Sequence, residues 1–416
     1  MSTPAGNEMN AKTHFDGTPF HSATAPHVVS CFWYGWSDFV LPDIYTSAHD
    51  ELKAVRERAG IIDMSPLPKM TFRGPDAGKL LDKLMTRPVL PVGVGRALFS
   101  PWCNDDGLMI GDGLIFRLQE EEYIVVGENS QSWFEKHIGS MDVSITDETK
   151  NYGVLALQGP KSTEIMAKAV DGDWQEIGFS EIANHQIAGV DVFIVRQGFT
   201  GEKGYEIWTP VKGGAEVWQT VFDAGREFNA LPTGEYAVDL ARLEAGLILV
   251  SADYAGAGTD AKTANVAVDD SLVITPIEAG LARLVDFDGD RDFIGKQALR
   301  ALRDCNNGNR RFVGLKLNAE EVFRAAISYG RPDEVLSRVY WGSTDVFQND
   351  VPIGRASSLA WSPTVGAPIA FGFLDTSIVS VDDNVQIDLR STDGSVVGRV
   401  SATVVDTPFI ELRRSK

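Results

Sequence analysis

The stretch Val195 to Trp208, VRQGFTGEKGYEIW, sets one carboxylate, Glu206, among large side chains just after a glycine-rich turn. Gly198, Gly201 and Gly204 let the backbone take positive φ and come close to a ligand. Tyr205, Glu206, Ile207 and Trp208 then read as a strand. A carboxylate in that setting is costly unless donors satisfy it. Paired N–H groups on one edge of a flat heterocycle, such as a pterin's amino group and ring nitrogen, would suit it. An ordinary hairpin with a solvated Glu206 fits the same letters. The second chemical cluster is CFWYGWSDFVLPDIY, which gathers Phe32, Trp33, Tyr34, Trp36 and Phe39 around one glycine. Trp and Tyr offer rigid flat area with a polar tip, suited to gripping an aromatic ring. A core anchor beneath a domain interface explains the pattern equally well. Tyr34, Tyr45 and His21 are the hydrogen-bond donors nearest these rings, and each also reads as structural.

The elements that must position these residues follow from spacing. HDELKAVRERA (49–59) has helical periodicity, with Gly60 as its stop. IIDMSPLPKMTFRG reads as strand, turn, strand, and GPDAGKLLDKLM as a helix opened by Pro75 and Asp76. Phe99 to Val126 is strand-rich, with a hairpin across the polar LQEEE, and Ser130 to His137 begins a helix. LALQGPKSTEIMAKAV repeats the earlier strand, glycine turn and helix of FRGPDAGKLLDKL, which points to two related α+β units. Helices are expected over Lys212–Phe228 and Val238–Leu249, an inserted loop over 251–270, and a linker at CNNGNRR. The remainder to about Phe409 alternates short strands with turns such as Thr392-Asp393-Gly394, as an all-β barrel-like domain would.

A chain of 416 residues exceeds one simple core, so two or three domains are expected. The formal net charge of −20 argues against nucleic acid or an anionic membrane as partner. Cys31, Cys103 and Cys305 are far apart and odd in number, which excludes a disulfide framework and fits a reducing cytoplasm. The N-terminal stretch lacks an apolar signal core and no window approaches a membrane span, so a cytoplasmic location is expected. GAGTDAK (256–262) and PVGVGR lack the strand, helix or third glycine of a nucleotide fingerprint. No HExxH or CxxC occurs and the histidines are scattered, so no metal centre is expected, and the absence of GxSxG removes the common serine hydrolase reading.

GFTGEKGYEI resembles the GYTGE-x-G-[FV]-E-I signature of the aminomethyltransferase (T-protein) of the glycine cleavage system and its tetrahydrofolate-dependent relatives. GIIDMS, FRGPDA, LALQGPKS, RLEAGLIL, TPIEAGL, DFIGKQAL, FVGLKL and SPTVGAPIAFGFL match in the same order, from about Asp50 to Phe409. The resemblance implies an α+β, three-domain cloverleaf with two related α+β domains and a C-terminal β-barrel-like domain. It implies a central folate-binding domain from 1–61 and 149–247, a second from 62–148 and 248–304, and a barrel domain from 305–416. Tetrahydrofolate is the implied coenzyme, with a small-molecule substrate and no obligate protein partner. Glu206, Phe199, Phe99, Arg196 and Tyr205 fall at positions expected to bind the coenzyme. Because relatives build their substrate pocket partly from the N-terminal region, Trp33, Trp36, Tyr45 and Met64 are expected to bind substrate, and Asp112, His21 and Tyr34 to be catalytic.

Two positions depart from the aminomethyltransferase pattern, and a third from that of vanillate-type demethylases. Ile110-Gly111-Asp112-Gly113 carries one acid where aminomethyltransferases have an Asp-Asp pair, and a cationic amine would lack a partner there. Asp112 could also be a plain turn residue satisfying backbone N–H groups. Val238 stands where the family has arginine, and Glu128 stands where vanillate-type demethylases have one, which would repel a substrate carboxylate. The IGDG form followed by the EEE turn is similar to tetrahydrofolate-dependent O-demethylases of aromatic methyl ethers. An aminomethyltransferase or demethylase of an amine or sulfonium donor, of the glycine cleavage, betaine or dimethylsulfoniopropionate type, or methylene transfer from an aromatic methylenedioxy ether, is the alternative. Since reduced folates carry carboxylates, a local basic site is required, and Arg196, Lys203 and Arg242 lie nearest the motifs.

Overall fold

The computed structural model describes residues 14–258, 272–305, 310–375 and 377–415. A six-stranded sheet runs in the spatial order Ile182–Ile187, Val190–Val195, Gly204–Pro210, Tyr152–Gln158, Gly60–Asp63 and Leu231–Thr233. A five-stranded sheet has the order Arg96–Cys103, Met109–Gln119, Glu122–Gly127, Lys69–Arg73 and Ser144–Asp147. Each sheet packs its outer face on helices. Tyr205, Ile207, Leu155 and Leu157 meet Ile165, Val217 and Trp218 of the helices Ser162–Ala169 and Gly214–Gly225. Phe72 and Tyr123 meet Leu80 and Leu81 of the helix Ala77–Leu84. The inner faces meet each other, with Ile62, Ala156 and Trp208 against Ala97, Phe116 and Val126. Trp208 stacks on Phe193 with centroids 5.1 Å apart and takes the edge of Phe116 at 5.3 Å. Such ring pairs add about 0.5–1.5 kcal/mol each beyond their buried area. Period-two alternation in Gly204–Pro210 therefore sends Tyr205 and Ile207 outward to the helices and Glu206 and Trp208 inward.

The internal echo in the sequence is a repeat in backbone conformation. Gly74 and Gly159 end their strands at φ 135° and 133°, values that favour glycine. Eight-residue helices follow, Ala77–Leu84 and Ser162–Ala169. Ala77 N–H donates to Gly74 O and Ser162 N–H to Gly159 O, both at 3.0 Å. A domain boundary at 61 falls inside the strand Gly60–Asp63, which pairs with Tyr152–Gln158 as part of the six-stranded sheet. The helix expected from Val238 begins earlier, at Glu235, and ends at Glu244. Gly246 at φ 69° turns the chain soon after.

The third lobe is a closed barrel of six strands. It is not all-β, because the helix Ala319–Tyr329 packs Val322 and Ala326 against it. Asn318 caps that helix by accepting from the Glu321 N–H. The hairpin Phe32–Trp36 and Phe39–Ile44, with Asp16–Gly17, forms a small three-stranded sheet. Of the expected loop over 251–270 and linker over 305–311, residues 259–271 and 306–309 lie outside the described residues, as does the part of GAGTDAK beyond 258.

Candidate active site

A cavity of about 2180 Å³ opens where the two sheets, the small sheet and the barrel meet. Glu206, Asp112, Phe99, Phe199, Tyr34, Trp36 and Met64 all line it, although they come from segments far apart in the chain. The rings and the two acids thus share one space.

Glu206 sits mid-strand opposite Ala156 and next to Val195, 9% exposed. Burial pushes its carboxyl up to about 7, with Trp208 and Lys69 pulling it back. The glycine turn beside it is shaped by a side chain. Only Gly201 of the three turn glycines has positive φ, at 79°. Gly198 and Gly204 are glycine because a Cβ at either would collide with Gln158. Gln158 Nε2 donates to Gln197 O at 3.0 Å and its Oε1 accepts from Thr200 Oγ1 at 2.9 Å. Glutamine on the neighbouring strand therefore holds the turn against the cavity.

Asp112 is no turn residue. It lies in the strand Met109–Gln119, opposite Pro101, with Oδ2 accepting a 2.5 Å hydrogen bond from the Tyr254 hydroxyl. Burial raises its carboxyl to about 6, Tyr254 opposes that, and Glu128 and Asp253 add to it. Gly111 has a steric cause, since a Cβ there would stand 2.7 Å from the Trp102 ring. Trp102 is fully buried and donates through Nε1 to Ser130 Oγ at 3.1 Å, so it has little room to yield. Gly111→Ala is expected to lower stability by about 1–3 kcal/mol through overpacking, read as a drop in urea midpoint at unchanged slope.

Several residues expected at the site lie elsewhere. Tyr205 points to the helix side, with its hydroxyl 3.0 Å from Thr163 Oγ1 and its ring against Trp174. Arg196 pairs with Glu176 at 3.2 Å and donates to Ile177 O. Lys203 pairs with the same Glu176. Arg242 is buried between Asp239 and Asp253 at 2.8 and 2.6 Å, so its guanidinium is spent on structure although its residue borders the cavity. Trp33 is 40% exposed on the outer side of its hairpin, where His21 packs on it at 5.5 Å. Tyr45 is buried outside the cavity lining. The strand's alternation sends Trp33 away from the cavity and Tyr34 and Trp36 toward different parts of its wall.

The cavity's basic patch is instead Arg87, Arg283 and Arg414, which lie far apart in the chain. Burial, then the neighbouring charge of Arg283, lowers the pKa of both Arg87 and Arg414. No ion pair of Arg283 or Arg414 with a carboxylate occurs among the described residues. Such a cluster suits an anionic tail. Lys69 is another residue that sequence reading passed over. It is fully buried, donates to Ser65 O and Leu67 O at 2.7 Å each, and stands 5.6 Å from the Trp208 ring. Burial lowers it to about 7, with Asp63, Asp147 and Glu206 opposing. Among the described residues no cluster of His, Cys, Asp and Glu is placed to hold a metal, and no helix is long and apolar enough to cross a membrane.

Two fused α+β lobes and a barrel close on a ring-lined cavity that holds a buried acid and a cluster of arginines, an architecture shared with tetrahydrofolate-dependent group-transfer enzymes. Residues 27–289 match the GCVT N-terminal domain, and 331–411 the glycine cleavage T-protein C-terminal barrel domain. The chain belongs to the aminomethyltransferase (GCVT) family. It is 31% identical over 398 residues to an aminomethyltransferase of Listeria monocytogenes serotype 4a, covering 94% of this chain and 97% of that protein. An aminomethyltransferase of Cutibacterium acnes is 31% identical over 388 residues, covering 90% and 92%. The crystal structure of glycine cleavage system aminomethyltransferase T from Bartonella henselae superposes with a TM-score of 0.77 at 22% identity, covering 97% of this chain and all of that one. That likeness is one of fold.

Proposed function

We propose that this protein is a tetrahydrofolate-dependent O-demethylase that moves a methyl group from a small aromatic methyl ether to N5 of the coenzyme. The observation that carries this reading is Gly111. The Trp102 ring fills the space of a side chain there, so the strand offers Asp112 alone where aminomethyltransferases have two acids. Tetrahydrofolate supplies the nucleophilic nitrogen that receives the methyl group. Glu206 is suited to the paired N–H edge of its pterin, Phe99 and Phe199 to the faces, and Arg87, Arg283 and Arg414 to its tail carboxylates. Asp112, with Oδ2 held by Tyr254, takes up the proton released from the attacking nitrogen on its other oxygen. Tyr34 and Trp36 orient an aromatic donor. Holding the two reactants together can lower the barrier by roughly 7–11 kcal/mol.

Glu128 favours a second reading. It lines the cavity and interacts with Asp112, so a cationic amine or sulfonium donor would find a partner there after all. Pure protein with tetrahydrofolate and a panel of methoxyphenols is expected to yield 5-methyltetrahydrofolate and the matching phenol, read by mass spectrometry. Product from glycine betaine or dimethylsulfoniopropionate alone, or a requirement for a lipoyl carrier protein, would establish the second reading in place of the first.

A further inference from the structure

Glu235 opens the helix Glu235–Glu244 and lines the cavity, facing Tyr34. Its Oε2 is buried and has no hydrogen-bond partner among the described residues. Its charged neighbours are already engaged. Asp43 is held by both terminal nitrogens of Arg338, at 2.7 and 2.5 Å. Asp239 accepts from Arg242 Nε at 2.8 Å and from Trp341 Nε1 at 2.7 Å. Asp63 accepts from Thr18 Oγ1 at 2.5 Å and from the Ser65 hydroxyl at 2.6 Å. Glu51, on the helix packed beside it, takes the N–H groups of Gly234, Tyr45 and Thr46. Tyr236, the next residue on its own helix, lies under the guanidinium of Arg338. Glu235 is thus an acid among acids, and Arg338, the cation that opposes them there, is shared with Asp43. An unpaired buried carboxylate in such company keeps its proton. Burial, then Asp239 and Asp43, push its pKa up to about 8. A protonated carboxyl is a donor, whereas every other acid named here is used as an acceptor.

We propose that Glu235 is the neutral acid at the donor end of this cavity: it hydrogen-bonds the oxygen that loses the methyl group, gives it a proton, and thereby selects oxygen-based donors over cationic ones. This rests on the O-demethylase reading. The balance is complete without a further reactant. The methyl–oxygen bond breaks with its electron pair left on oxygen, which takes the Glu235 proton. The new nitrogen–methyl bond forms from the nitrogen lone pair, and that nitrogen's proton passes to Asp112. Exchange with solvent reprotonates Glu235 and deprotonates Asp112. Two acids whose surroundings drive their pKa values to opposite sides of neutrality are the pattern of an acid–base pair.

Protonation can be read without any donor. The infrared difference between wild type and E235Q, titrated in pH, is expected to show a carboxylic-acid carbonyl band at pH 7 that vanishes with a midpoint near 8. No such band at pH 7 would overturn the proposal, as would its loss on adding glycine betaine. With tetrahydrofolate and 2-methoxyphenol, E235Q is expected to lower kcat by about 10²–10⁴-fold with little change in KM, because the amide donates a hydrogen bond but no proton. The alkaline limb of the wild-type profile should disappear in E235Q. A rise in KM alongside the fall in kcat, or an unchanged limb, would assign Glu235 to structure and overturn the proposal. Calorimetric titration of wild type with tetrahydrofolate keeps the two readings apart. Coenzyme binding and a protonated Glu235 without turnover of any ether would sink the ether reading and this role with it, whereas no coenzyme binding would indict the Glu206 site instead.

Discussion

Glu206→Gln is expected to weaken tetrahydrofolate binding by roughly 100-fold, about 3 kcal/mol, measured by calorimetry. A carboxylate facing two N–H donors makes two charge-assisted hydrogen bonds, each worth about 1.5–3 kcal/mol. Glutamine offers one acceptor and turns an N–H of its own toward a donor, so one bond is lost and one becomes a repulsion. The pH dependence gives a sharper test. Burial raises Glu206 to about 7, so the carboxylate is the main form only above that pH. Below it the proton must be displaced before the pterin can bind. Wild-type affinity is therefore expected to fall about tenfold per pH unit on the acid side of 7 and to level off above it, while E206Q stays flat. Lys69 titrates in the same range with the opposite sense, and its charge helps hold Glu206 ionised, so the rise is expected to be rounded near 7. Equal binding by E206Q and wild type would remove the pterin from this end of the cavity.

The parts of this site that were legible in the sequence are those coded by a contiguous pattern. GFTGEKGYEI carries its glycines and its acid on one hairpin, and the backbone sets them beside the cavity whatever the rest of the chain does. Tyr205 was misread because neighbours on a strand face opposite ways, and here both faces are buried, so polarity gives no sign of which is inner. Arg196 and Lys203 lie close to the motif in sequence, yet Glu176 claims both, and nothing local announces that pairing. The arginines that line the cavity, at 87, 283 and 414, lie far apart in the chain, and only the closed fold brings them to one wall. Tyr254 sits in a small, polar stretch that reads as a loop, and its partner Asp112 is 142 residues away. Lys69 was passed over for a different reason: lysine is almost never fully buried, so a strand lysine reads as an edge.

The reason for each glycine was also hidden. Spacing suggested three glycines chosen for backbone freedom, and one of them is. The other two make room for Gln158, while Gly111 makes room for Trp102. That last substitution links fold to chemistry. A tryptophan at the heart of the five-stranded sheet's core excludes the second acid, which leaves Asp112 to titrate against Tyr254 and Glu128 rather than against a neighbour on its own strand. Core packing has in this way set the charge of the site.

Asp112→Asn is expected to reduce kcat by about 10²–10⁴-fold while tetrahydrofolate binding changes little. Asparagine keeps an oxygen for the Tyr254 hydroxyl and preserves the shape of the strand, so the loss isolates proton uptake from position. In wild type the base form of Asp112 appears as pH rises through about 6, and the acid limb of kcat should lie there. Tyr254→Phe supplies the sign. The tyrosine hydroxyl favours the ionised carboxylate and holds its pKa down, so removing it leaves burial and Glu128 unopposed. The acid limb is then expected to move to higher pH, with kcat partly restored in alkaline buffer. Because Glu235 limits the alkaline side near 8, the window between the two limbs should narrow in Tyr254→Phe and its maximum should fall. A limb that shifted to lower pH, or that stayed in place in both variants, would mean that the strand acid holds the fold and that another group takes the proton.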